Sequence, residues 1–371
     1  MTSPNDQQGR PVGWRELLAM ALVALGFRLL LAAGAMMVTH STLIDLARAG
    51  DGYQFIAYSR AWTGYDAEFA ANPYFGRLFP GYPLLIAGLN LLGMPISLAT
   101  LLPSWLAGAV TAPLAAVAFE RRVGWAMATL VPAFTFQVSL MSTEALCLFC
   151  ASLAFLLWRS QRPISAGLTF GVGAMFRPMI VFGMLGATAA DALDRRIGKS
   201  AKMIVAAGLS IVPCLWAVEA RFGDAIMSAR RYATDATAYR SAVLTWPFST
   251  LALVPWRTHV APWKLVFVGA HLVVVLVGCA LALQQWRSRD RSRGELATAS
   301  LVWLWSNTLF VLCVGYPWGF HDFPRYLVPA LPPLFLVYRR YLPQRTWVWL
   351  GLGLLSIALA FEPTVRRLVN G

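Results

Sequence analysis

Apolar runs separated by short polar turns repeat along this chain, most of them about 15 to 25 residues long. A helix needs roughly 20 such residues to cross about 30 Å of hydrocarbon. The runs are too long and too continuous for the strands of a membrane barrel, so the pattern predicts an all-α, polytopic transmembrane helical bundle. The first helix is expected over 14–38, followed by an external loop over 39–93. Within that loop, 80–92 reads as an apolar helix lying at the interface. Further crossings are expected at 95–118, 124–141, 144–158, 163–176, 178–193, 203–221, 264–286, 295–315, 325–338 and 346–362. That gives about 11 helices, with a second long external segment over 222–263 and the whole of 1–371 forming one integral membrane domain.

Composition supports the same class. Apolar residues make up 58% of the chain and charged residues only 13%, about half the share usual for a soluble domain. A net charge of +14 would suggest nucleic acid in a soluble protein, but here its placement has another meaning. Basic residues cluster in alternate connections: Arg121-Arg122, Arg159 with Arg162, Arg195-Arg196 with Lys199 and Lys202, Arg287 to Arg293, and Arg339-Arg340 with Arg345. If those connections are cytoplasmic, the positive-inside rule is satisfied throughout. The charge then orients the protein in a lipid bilayer and recruits no nucleic acid. The N-terminus is expected in the cytoplasm, the C-terminus outside, and no cleavable signal fits the first run.

Cys147, Cys150, Cys214, Cys279 and Cys313 all fall inside apolar runs. The Cys147-x-x-Cys150 pair has no neighbouring His or Asp, so it reads as packing and not as a redox or metal motif. No metal-ligand set, Walker loop or dinucleotide fingerprint is present.

The ionisable groups that remain collect at predicted external ends of helices. Asp51 follows the first helix, Glu144 sits in a tight turn, Arg177 precedes Pro178, and His321, Asp322 and Arg325 precede the tenth helix. Each also has a structural reading. Asp51 or Glu144 would serve as a helix cap favoured by the helix dipole, Arg177 as a snorkelling anchor, and Arg325 as the partner of Asp322. Arg28, mid-way along the first helix, is expected in a buried ion pair, because a charge at that depth is costly.

Asp51-x-x-Gln54-Phe55-Ile56-Ala57, followed by Phe79-Pro80-Gly81-Tyr82-Pro83-Leu84-Leu85-Ile86, resembles the first luminal loop of the GPI mannosyltransferases. Related bacterial mannosyltransferase-like proteins of the GT-C glycosyltransferase superfamily share that loop. Val131-Pro132-Ala133, Ser142-Thr143-Glu144-Ala145-Leu146, Phe176-Arg177-Pro178 and Arg325-Tyr326-Leu327-Val328-Pro329-Ala330-Leu331-Pro332 resemble later segments of that family, in the same order. Where the family places a Trp before the loop acid, this chain has Gly50. The resemblance implies a GT-C-like membrane glycosyltransferase that takes a sugar, such as mannose, from a polyprenyl-phosphate donor. By position, Asp51 would be its catalytic base.

Inverting transfer needs one carboxylate to accept the proton of the acceptor hydroxyl as the phosphate leaves. Asp51 fits that role. Arg325 and Arg177 fit the phosphate, because a guanidinium fork stabilises its growing charge and no metal or other cofactor is then required. Gln54, Glu144, His321, Tyr326 and Tyr82 are further site candidates. Tyr53, Tyr58, Trp62, Tyr74 and Phe75 suit either sugar stacking or an interfacial aromatic belt. The acceptor would be a lipid, glycan or protein on the external, periplasmic face of a bacterial plasma membrane. Two other readings stay open: a lipid-linked glycan polymerase or ligase, with Arg230, Arg231 and Arg240 in its external loop, and a transporter or flippase of lipid-linked sugars. A transporter should show paired interrupted helices in its two halves, and no internal repeat is evident.

Overall fold

A computed structural model of the protein describes residues 12–64, 66–72, 75–134, 140, 142–238, 243–251, 262–288, 294–315 and 322–370. Among them the regular structure is helical, with one isolated antiparallel bridge between Leu244 and Val314. The helices are α1 (Trp14–Thr39), α2 (Leu43–Arg48), α3 (Gly52–Thr63), α4 (Ala67–Ala71), α5 (Gly81–Leu91) and α6 (Ile96–Ala118). Then come α7 (Arg121–Thr129), α8 (Val131–Phe134), α9 (Thr143–Arg159), α10 (Pro163–Phe176), α11 (Val181–Leu193), α12 (Ile197–Phe222) and α13 (Met227–Ala238). The last are α14 (Pro262–Arg287), α15 (Gly294–Cys313), α16 (Phe323–Leu327), α17 (Leu331–Val337) and α18 (Thr346–Asn370).

Six of these (α1, α6, α12, α14, α15 and α18) are long and apolar enough to cross a membrane, and shorter apolar helices lie among them. Large apolar side chains face outward along the long helices, including Ile204, Val205, Leu209 and Val212 of α12, Val266 and Val273 of α14, and Leu354, Leu355 and Leu359 of α18. An outer surface of this kind is matched by lipid and not by water. The protein is a multi-pass membrane protein.

Most helix ends lie close to those the hydropathy pattern predicts, but α12 begins six residues before the expected 203, α18 runs eight residues past the expected 362, and two further runs are divided near prolines. The helix expected over 124–141 is interrupted at Leu130, one residue before the Val131-Pro132 start of α8, and 135–139 and 141 lie outside the described residues. The helix expected over 325–338 is three pieces: α16, a 3₁₀ turn over Val328–Ala330, and α17. Pro324, Pro329, Pro332 and Pro333 each remove a backbone donor there, and four losses within ten residues divide the helix, whereas α6, α12 and α18 accommodate one or two internal prolines each.

The core is built on stacked aromatics between the short helices and α15. Phe155 of α9 stacks on Trp303 of α15 with ring centroids 4.7 Å apart, and Trp158 and Phe170 pack edge-on against Phe155. Cys147 and Cys150 are free thiols within this core.

At the basic end of the bundle, Asp191 of α11 is fully buried and accepts from Trp158 Nε1 at 2.9 Å. Lys199 and Arg196 lie 3.3 and 3.4 Å from it, and Arg196 also reaches Glu295 at 2.7 Å. These contacts tie α9, α11, α12 and α15 together where the helices turn. The opposite end gathers the turns at Asp51, Ser142, Arg177 and Asp322.

Arg28 departs from expectation. It is 2% exposed, and its Nη1 donates to the Ala24 carbonyl at 2.7 Å, while no carboxylate pairs with it among the described residues. The guanidinium lies against Gly108 of α6, where a Cβ would sit 2.4 Å from Nε. The glycine makes room for a buried cation that is met by backbone and not by a counter-charge.

This arrangement predicts that Glu68→Cys and Arg195→Cys, both exposed and at opposite ends, label from opposite sides of the membrane in a cysteine-free background. The basic loops predict that Arg195→Cys labels from the cytoplasm. Labelling of both from one side would contradict the topology.

Candidate functional site

Four breaks in helix structure bring four charged side chains to one point. Asp51 stands between α2 and α3, where Gly50 adopts φ +63° and Gly52 packs so closely on α2 that a Cβ would lie 1.9 Å from the Ala47 carbonyl. Gly50 takes a left-handed conformation that bulky residues resist. Glu144 is in the first turn of α9, whose N-cap Ser142 accepts from the Ala145 amide at 3.3 Å. Arg177 ends α10 in an extended conformation (φ −157°, ψ 114°), as expected of a residue before proline. Arg325 lies in the short proline-started helix α16.

Glu144 is the centre. It has no exposure to solvent. Its Oε1 is paired with Arg177 Nη1 at 2.7 Å and accepts from Arg325 Nε. Its Oε2 accepts from the hydroxyls of Ser142 at 3.0 Å and Thr143 at 3.3 Å. Arg325 turns its Nη1 to Asp51 Oδ2 at 2.6 Å. Arg177 packs over the ring of Tyr326 at 5.2 Å, and the Tyr326 hydroxyl meets that of Tyr232 at 3.5 Å. Two carboxylates and two guanidiniums thus neutralise one another in a chain running Asp51, Arg325, Glu144, Arg177.

The two acids sit in different surroundings. The Asp51 side chain is 23% exposed and that of Glu144 is closed off. Burial alone would raise the Asp51 carboxyl, but the charge and hydrogen bond of Arg325 outweigh it and hold Asp51 below the usual carboxylate range. A depressed value in the folded state means that the ionised pair stabilises the fold above the ordinary carboxylate value, about 4. That contribution is lost as the pH falls through the folded value. At neutral pH the pair is intact.

A cavity of about 300 Å³ opens over the group. Asp51, Arg77, Arg177, Asp322 and Arg325 form its polar wall, and Phe55, Phe79, Phe176, Met179, Phe310 and Val314 its apolar wall. One pocket therefore offers both arginines and carboxylates on the one hand and apolar side chains on the other.

No known protein family and no curated protein matches the chain. What the site can do is read from its geometry.

The residues singled out from sequence divide into three groups. Asp51, Glu144, Arg177 and Arg325 meet, and Tyr326 lines the cavity beside them. Arg325 pairs with Asp51 and Glu144, and not with Asp322 as sequence proximity suggested. Tyr82 and Gln54 do not line the cavity. Tyr82 is fully buried, with its hydroxyl donating to the Thr100 carbonyl and its ring edge-on to Phe55 at 5.3 Å. Gln54 donates to the Tyr53 hydroxyl at 3.1 Å. His321 and Tyr74 lie outside the described residues. Arg77 and Tyr232 line the cavity without having been singled out for this site. Arg77 stands two residues before Phe79-Pro80, and Tyr232 follows Arg230-Arg231, so proximity to those motifs was the available signal.

The geometry predicts unequal roles in stability. Removing the charge of Glu144 leaves two buried guanidiniums facing each other, so Glu144→Gln should lose about 3–5 kcal/mol. Asp51→Asn, at the more open end of the chain, should lose less than about 1 kcal/mol. Thermal unfolding in detergent measures both, and equal losses would contradict the buried-centre description.

Proposed function

We propose that the protein is a membrane glycosyltransferase that moves a sugar, such as mannose, from a polyprenyl-phosphate donor to a lipid, glycan or protein acceptor. The observation that carries this reading is the meeting of Asp51 with Arg325 and Arg177 in a cavity lined by three arginines, two aspartates and apolar side chains. A polyprenyl-phosphate sugar has the same divided character: an anionic phosphate, a polar sugar and a hydrocarbon chain. The likeness of the Asp51, Glu144, Arg177 and Arg325 segments to the GT-C glycosyltransferases supports the same reading.

In this mechanism Arg325 and Arg177 hold the donor phosphate with planar, multi-donor groups. The acceptor hydroxyl lies against Asp51. Its proton passes to the Asp51 carboxylate as its oxygen forms the new bond to the anomeric carbon. The bond from that carbon to the phosphate oxygen breaks, and its electron pair leaves with the polyprenyl phosphate. The arginines stabilise the charge that this phosphomonoester gains. Attack opposite the leaving phosphate inverts the anomeric centre, and no step calls for a metal or cofactor. The apolar wall at Phe176, Met179, Phe310 and Val314 receives the first isoprene units. By the distribution of basic loops, the site faces the external side, in a bacterium the periplasm.

Replacement of Asp51 by Asn keeps the shape of the side chain but removes its capacity to accept the proton, so transfer should fall roughly 10²- to 10⁴-fold. Sugar release from a labelled donor by purified protein measures this, and wild-type rates in Asp51→Asn would exclude the mechanism. Arg325→Lys keeps the charge but loses the fork, and should impair transfer more than folding. Full activity in Arg325→Lys would make Arg325 a structural anchor.

A further inference from the structure

The four-residue chain contains two carboxylates on one guanidinium, and they are not equivalent. Arg325 spends Nε on Glu144 and Nη1 on Asp51. Glu144 is closed from solvent and is held by two arginines and by the hydroxyls of Ser142 and Thr143. Asp51 is the exposed partner, at 23%, and its side-chain hydrogen bond is to Arg325 alone among the bonds described. The cavity opens on the Asp51 side of this pair.

The donors that Arg325 uses are Nε, on Glu144, and Nη1, on Asp51. An anion that takes Nη1 displaces Asp51, and one that takes Nε displaces Glu144. Displacing Glu144 would break four contacts and leave a bare charge in the interior, which is strongly unfavourable. Displacing Asp51 breaks one contact and releases a carboxylate into the cavity, still facing Arg77.

We propose that Asp51 is an exchangeable ligand of Arg325, displaced by the phosphate of the lipid donor, while Glu144 is a fixed positioning residue that holds Arg325 and Arg177 side by side to receive it. The inference rests on the reading of the site as one for a polyprenyl-phosphate donor. It adds an order of events to that reading. Without donor, Asp51 is neutralised by Arg325 and is a poor base. When the phosphate takes over Arg325, Asp51 loses its counter-charge and becomes more basic beside the sugar it must serve. The base is therefore uncovered by the substrate itself, and acceptor activation follows donor binding.

Binding of undecaprenyl phosphate to the purified protein in lipid nanodiscs tests the exchange without requiring transfer. Asp51→Asn removes the internal competitor and should bind the lipid phosphate roughly tenfold more tightly than wild type. Asp322→Asn removes an equal charge from the cavity lining at a residue that makes no described hydrogen bond or ion pair to Arg325, and should change affinity much less. Glu144→Gln should weaken binding roughly tenfold or more, with Glu144→Asp recovering part of the loss. The Asp variant also serves where the Gln variant does not fold. Unchanged affinity in Asp51→Asn, or an equal gain in Asp322→Asn, overturns the exchange while leaving the donor site standing. Wild-type affinity in a folded Glu144→Gln overturns its positioning role. Absence of binding to the wild type overturns the donor reading itself, and the exchange with it.

Discussion

Charge compensation in a low-dielectric interior is the constraint on which this structure turns. An unpaired guanidinium or carboxylate at membrane depth costs several kcal/mol, and Glu144 is removed from solvent altogether. It persists because Arg177 and Arg325 are brought to it from helices that are 33 and 181 residues away along the chain. Each of those arginines stands at a helix interruption: Arg177 before Pro178, and Arg325 after Pro324. The breaks that spoil ideal helices are thus the breaks that let side chains turn inward and meet.

The opposite end of the bundle solves the same problem differently. Asp191 is equally buried, but its partners Arg196 and Lys199 stand on the turn that joins α11 to α12 and on the first turn of α12, with Trp158 completing the set. That cluster closes the end of the helices. The Glu144 cluster adjoins a cavity lined by Asp51, Arg77, Arg177, Asp322 and Arg325 and by apolar side chains. One cluster joins helices, and the other lines a cavity with both charged and apolar side chains. Arg28 is a third solution, a cation accommodated by a backbone carbonyl and by the absence of a side chain at Gly108.

Much of the fold was legible in the sequence because helix ends in a membrane protein are marked twice, by loss of hydropathy and by proline or glycine. Ile96–Ala118, Pro163–Phe176 and Thr143–Arg159 lie within a residue or so of the expected limits. The pieces over 121–134 and 323–337 were not legible, since an apolar run does not reveal whether its prolines kink a helix or divide it. Asp51, Glu144, Arg177 and Arg325 were recognisable as charges at one end of the bundle, yet their pairing was not. Asp51 and Arg325 are separated by 274 positions, and spacing says nothing about contacts at that range. The roles of Tyr82 and Glu144 were ambiguous for a related reason. An aromatic or an acid near a helix mouth looks the same whether it lines a cavity or is sealed behind it. Tyr82 is sealed behind it, and Glu144 is sealed too but supports the arginines that line it.

The central claim is that this cavity acts on a sugar carried by a lipid phosphate. Purified wild-type protein, reconstituted with a panel of radiolabelled polyprenyl-phosphate sugars and a membrane extract as acceptor, tests it directly. The account predicts that one donor loses its label to a new product, that free polyprenyl phosphate appears in equal amount, and that the transferred sugar has the inverted anomeric configuration. Label that remains on every donor, or that moves across the bilayer still attached to its lipid, would contradict it.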